Sequence, residues 1–134
     1  MKFSGMVLCY LPERAEWEKK LRPTLAVAGA GVKRILPEET GETVGVLAGL
    51  KGFDPTGAAP PEDVPEAPVL LFAGLAGGRL DAALQALRRA GVPRSVYKAV
   101  VTADNAGWTF AALCRELRRE REAIEAGENS IHRS

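Results

Sequence analysis

Two continuous apolar runs, "MVLCYL" at residues 6–11 and "VLLFA" at residues 69–73, each open the same succession of strand, helix, strand and helix. An apolar run that ends at a turn residue, as the first does at Pro12, suits a strand covered on both faces. Strands that alternate with helices predict crossover connections of right-handed sense and therefore mainly parallel pairing. This repeated plan constrains the fold more than any other feature.

In the first half, Trp17, Leu21, Leu25 and Ala28 recur at helical spacing between Glu13 and Ala28, with Pro23 expected to kink or break the helix near Arg22. "VKRIL" reads as a second strand and "ETVGVLAGL" as a short helix. Residues 52–68, rich in Pro, Gly and acidic groups and without a period, read as a linker. The second half repeats the plan with a helix over Gly77–Ala90, the strand "YKAVV" and a last helix from Ala106 to about Glu125. Residues 1–51 and 69–126 are thus two β-α-β-α halves of one domain, and residues 127–134 a frayed tail. Aligning "VKRILPEETGETVGVLAGL" with "YKAVVTADNAGWTFAALCR" sets Lys33 on Lys98, Glu39 on Asp104 and Thr40 on Asn105, which suggests an internal duplication.

The expected architecture is a small α/β fold. Its four-stranded, mainly parallel sheet has the order 2-1-3-4, with helices on both faces. Lys33 and Lys98 then fall on the two edge strands, where lysine discourages edge-to-edge association. The structural rival is a ferredoxin-like α+β arrangement, with antiparallel pairing and helices on one face.

Composition excludes more than it assigns. The 134 residues carry 18 Lys and Arg against 17 Asp and Glu, so net charge offers no drive toward nucleic acid or acidic lipid. Interleaved Glu and Arg in "RELRRERE", without aromatic neighbours, mark a solvated helix face rather than an RNA surface. No apolar run approaches the roughly 20 residues of a membrane span, and charges follow the first apolar run at once, unlike a signal peptide. A cytoplasmic location is the expectation. Cys9, Cys114 and the lone His132 cannot assemble a zinc site, and both cysteines read as packed thiols. No cofactor fingerprint and no nucleophile with a neighbouring base is present.

If all strands ran parallel, their C-terminal ends would share one rim, receiving "LPERAEW", "GLAGGRLD" and "TADNAGW". Gly77 and Gly78, entering a helix, either form a tight turn or offer main-chain amides to an anion. In the turn after the last strand, Asn105 or Asp104 is a favoured N-cap for the amide of Gly107 or Trp108, and Thr102 can steady the strand end. Trp108 is either core or an exposed anchor of the kind enriched at binding hot spots.

From about Val69 to Glu122, the features "LD…L", "K-A-V-x-T-x-x-N-x-x-W" and "EL-x-x-E" resemble a family of short bacterial domains of unknown function, most distinctively at Lys98, Thr102, Asn105 and Trp108. The resemblance implies a domain assignment but no reaction or ligand. The first half departs from this pattern, with Pro37, Thr40 and Thr43 at the positions of Thr102, Asn105 and Trp108. Two functions are therefore expected. One is a non-catalytic protein-interaction or regulatory module, with a protein partner or a second copy meeting Trp108. The other is binding of a small anionic metabolite or nucleotide at the rim by Gly77, Gly78, Lys98, Thr102, Asn105 and Gly107, with an enzyme acting on that ligand as the weaker variant.

Overall fold

The computed structural model describes residues 5–132. Four strands, β1 (Gly5–Tyr10), β2 (Ala30–Ile35), β3 (Val69–Ala73) and β4 (Tyr97–Val100), form one sheet in the order β2-β1-β3-β4. The connecting helices are α1 (Glu18–Val27), α2 (Val44–Leu47), α3 (Gly77–Arg89) and α4 (Phe110–His132). The order and the α/β class agree with the sequence reading, and the ferredoxin-like rival is excluded because helices cover both faces.

Alternation along the central strands sorts the core into two layers. Val7, Cys9, Leu70 and Phe72 face α1 and α3, meeting Leu21, Leu25, Ala83 and Leu87. Leu8, Tyr10, Val69 and Leu71 face α2 and α4, meeting Val44, Leu47, Phe110 and Leu113. Every second residue thus serves the opposite layer, as the pleat requires. The two crossover helices α1 and α3 are each followed by a glycine in the left-handed region, Gly29 at φ 83° and Gly91 at φ 84°, where a Cβ would be strained. Pro23 does not break α1, which runs through it. The proline sits on the solvent face, where the helix carbonyl it leaves without a partner can reach water.

Pairing direction differs from the all-parallel rim. β1 with β2 and β3 with β4 are parallel, but β1 and β3 at the centre are antiparallel, with Leu8 opposite Leu71 and Tyr10 opposite Val69. The cause is the path of residues 52–68. This stretch lacks regular structure, yet it is strapped to the body. The Glu42 carboxylate accepts from the Thr56 amide at 3.0 Å and from the Thr56 hydroxyl, and Tyr10 Oη donates to the Pro65 carbonyl at 2.6 Å. The strap therefore delivers β3 beside the C-terminal end of β1, and a strand starting there can only run back along it. "LPERAEW" consequently lies at the opposite end of the sheet from the loops that follow β3 and β4.

The Thr56 contacts hold the Glu42 carboxyl below its ordinary value. Because the folded value is the lower one, this latch is fully present above the ordinary carboxylate range and is lost as pH falls through the folded value. Limited proteolysis across pH should show the strap cut faster on acidification in the wild type. In Glu42→Gln, which cannot titrate, cleavage should already be fast at neutral pH and vary little. A pH-independent wild-type cleavage rate would contradict the latch.

The halves also meet on the α2/α4 face. Thr43 and Thr109 form an antiparallel bridge, and the hydrogen bonds around it are matched: Val44 N to Trp108 O with Phe110 N to Glu42 O, and Gly45 N to Ala106 O with Ala111 N to Thr40 O. The structural correspondence is therefore Thr43 with Thr109 and Thr40 with Ala106, one residue along from the sequence alignment. Lys33 and Lys98 are not equivalent. Lys33 stands beside Leu8 in the register and Lys98 beside Leu70, on opposite faces of the sheet.

Candidate functional site

The polar turn after β4 is built from its own side chains. Asn105 Oδ1 accepts from the Thr102 amide at 2.8 Å, and Thr102 Oγ1 accepts from the Asn105 amide at 3.2 Å. Asn105 Nδ2 donates to the Val100 carbonyl at 2.9 Å. Asn105 is thus not the cap of α4. The helix starts four residues later than the sequence reading had it, and its N-cap is Thr109, whose Oγ1 accepts from the Ala112 amide at 3.1 Å. Threonine immediately before the apolar run "FAAL" is the signal that locates this cap. Thr43 plays the same part for α2, accepting from Val46 N at 3.3 Å.

The Asn105 bond to Val100 falls on the outer edge of β4. The Val101 amide bonds inward to the Phe72 carbonyl, so alternation turns the main-chain groups of Lys98 and Val100 outward. An outward carbonyl on an edge strand is a template for another strand, and here the Asn105 side chain occupies it. Lys98 Nζ likewise donates to the Val96 carbonyl at 3.0 Å. Lys98 therefore turns away from the Thr102 loop, toward the start of β4. Burial there, with Arg121 and Arg88 nearby, pulls its ammonium below the ordinary value.

The structure brings Thr102 and Asn105 together and separates the other expected site residues. Gly77 and Gly78 start α3 at the same end of the sheet, but α3 packs on one face while the chain from Gly107 and Trp108 enters α4 on the other. Gly107 is exposed, and Trp108 keeps 41% of its surface in solvent, with its carbonyl bonded to Val44 N beside α2. Trp108 is an exposed side chain on a pinned backbone, not core. Sequence reasoning missed Arg121. It stacks 3.7 Å over the Tyr97 ring and donates to the Ser95 carbonyl at 2.8 Å, fastening α4 to the start of β4. Nothing in residue spacing marks that contact.

Replacing Asn105 by alanine removes the acceptor for Thr102 N and the donor to Val100 O. We expect about 1–2 kcal/mol lost in urea unfolding, since each such bond is worth about 1 kcal/mol net. An Asn105→Ala protein as stable as wild type would show that water replaces both bonds without cost.

The thiols are buried on opposite faces of the sheet, Cys9 from β1 toward α1 and α3 and Cys114 from α4 onto the other face, and burial pushes each up to about 12. Both are protonated at neutral pH and poor nucleophiles there. Among the described residues, no three His, Cys, Asp or Glu side chains are grouped to hold a metal ion, and no helix is long and apolar enough to cross a membrane.

Residues 68–124 match the model of a family described as a domain of unknown function, DUF3783. The DUF3783 match takes in β3, α3, β4 and most of α4, together with the Thr102–Trp108 turn, and leaves the first half and nearly all of the strap outside it. Comparisons with curated proteins and with solved structures gave no match.

Proposed function

We propose that the protein is a non-catalytic, cytoplasmic interaction module of bacterial type, in which Trp108 is the anchor for a protein partner. The observation that carries this reading is an exposed tryptophan on a backbone already fixed by hydrogen bonds. Trp108 O is bonded to Val44 N, its amide to the Asn105 carbonyl, and the preceding turn is closed by Thr102 and Asn105. A large aromatic side chain held this way loses little further backbone freedom on binding, and tryptophan is enriched at hot spots.

The alternative of an anionic metabolite at the rim is less well supported by the geometry. Asn105 and Thr102 spend their polar atoms on the turn, and Lys98 points toward the other end of its strand. Of the expected donors, the amides at the start of α3 and the exposed amide of Gly107 remain for that role. The matched hydrogen bonds around Thr43 and Thr109 support descent of the two halves from one duplicated unit, with Trp108 particular to the second.

The test is affinity capture from the source cells with wild type and Trp108→Ala, followed by titration of each captured protein. Truncating a hot-spot residue costs about 2 kcal/mol or more, a weakening of roughly 30-fold. Because Trp108 is exposed, the melting temperature should scarcely change. Identical partners bound with identical affinity by the folded variant would remove Trp108 from the interface.

A further inference from the structure

The strap does more than join the halves, because beneath it lies a cavity of about 390 Å³ at the N-terminal ends of β3 and β4, away from the Trp108 turn. Its floor is apolar, formed by Val69, Tyr97 and Cys114. One wall belongs to α4 and carries Arg115 and Arg118, which share a side of the helix at their spacing of three. The facing wall belongs to the strap and carries Asp63 and Glu66.

Two walls of opposite charge would close on one another if the strap were free. It is not free: the Pro65 carbonyl is bonded to Tyr10 Oη, and Val64 packs into the α2/α4 core. Among the described residues no ion pair joins Arg115 or Arg118 to Asp63 or Glu66, and the Arg118 side chain bonds instead through Nε to Glu122 at 3.1 Å. The cleft is thus propped open, with Arg115, Asp63 and Glu66 in no ion pair among the described residues and Arg118 engaged through Nε alone. The volume lies in the range of small-molecule sites, about 300–1,000 Å³, and the apolar floor is flanked by four charged side chains.

We propose that this cleft binds a small zwitterion of amino-acid type with an apolar or aromatic side chain. The carboxylate meets Arg115 and the free guanidinium nitrogens of Arg118, charge-assisted contacts for which arginine is suited. The ammonium meets Asp63 and Glu66, and the side chain lies on Val69 and Tyr97. The charge arrangement selects this class. A simple anion would face the strap carboxylates and a simple cation the guanidinium groups, so each singly charged molecule gains from one wall what it loses to the other. The site is independent of Trp108, so either assignment can fail without the other.

The experiment is calorimetric titration of the full chain with L-phenylalanine, and with 3-phenylpropanoate and phenethylamine as analogues lacking one charge each. Binding of the amino acid about tenfold or more tighter than either analogue is expected, and a loss of at least that factor in Arg115→Glu and in Asp63→Lys. Both positions are exposed, so both variants should melt with the wild type. The proposal is overturned if neither L-phenylalanine nor L-leucine binds, if the singly charged analogues bind as well as the amino acid, or if the two variants bind it unchanged.

Discussion

Phe110→Ala should lower the stability of the protein by about 3–5 kcal/mol, the usual range for emptying a fully buried aromatic position. Phe110 is fully buried at the first turn of α4, and its ring meets Tyr10 edge to face, with centroids 5.2 Å apart and planes inclined by 60°. That geometry adds about 0.5–1.5 kcal/mol beyond the area buried. Phe110 also joins the halves through its amide, bonded to the Glu42 carbonyl at 2.9 Å. Its side chain fills the layer between the sheet and α4, so no exposed group can move in to replace it. Domains of this size have only about 5–15 kcal/mol to lose, and the melting temperature should fall by roughly 10–20 °C. Urea titration with the slope unchanged would confirm a loss of packing. A change below about 1 kcal/mol would mean that the layer collapses around the missing ring.

The second large effect is expected at Gly41, which no pattern in the sequence marks. A Cβ there would lie 2.3 Å from the Ala59 carbonyl oxygen and 2.8 Å from its carbon, so the strap itself must move. At Gly45 a Cβ would instead meet the Phe53 ring at 2.5 Å, a side chain with some freedom to turn. Gly41→Ala should therefore cost about 1–3 kcal/mol, as overpacking does, and should speed protease cleavage between Gly52 and Pro61. Gly45→Ala should give the same sign and a smaller change. Cleavage of Gly41→Ala at the wild-type rate would show that the strap shifts without letting go of Glu42.

The strand order and the two faces were legible because they follow from local pattern. Four apolar segments at alternating positions, with lysines on two of them, suffice to place β1 and β3 at the centre. The direction of β3 was not legible, since it is decided by contacts between distant residues, Tyr10 with Pro65 and Glu42 with Thr56. A Pro-rich stretch reads the same whether it hangs free or is strapped down. At the turn after β4, the sequence marked the polar residues and misjudged which of them caps the helix. Asn105 is a good cap by type, but Thr109 sits nearer the apolar run and takes that role, leaving Asn105 to occupy the edge carbonyl of Val100. Exposure of Trp108 was undecided because "GWTF" places two large aromatics two residues apart, and only the docking of Phe110 against Tyr10 and the sheet determines which one faces water.

The antiparallel pairing at the sheet centre also bears on how the chain reaches its native state. The β1-β2 and β3-β4 pairs each close over one helix, whereas β1 and β3 meet across nearly half the sequence. Contacts so distant along the chain form late unless something lowers the entropy of bringing them together. Each half can then assemble its parallel pair early, with one side of its inner strand bare until the other half arrives. The interval before docking is when the molecule is most open to pairing with a neighbour, because Leu8 and Leu71 stand on strands whose hydrogen bonds are unmade on that side. Guards such as Asn105 protect the finished outer edge of β4, and nothing equivalent shields the inner one during assembly.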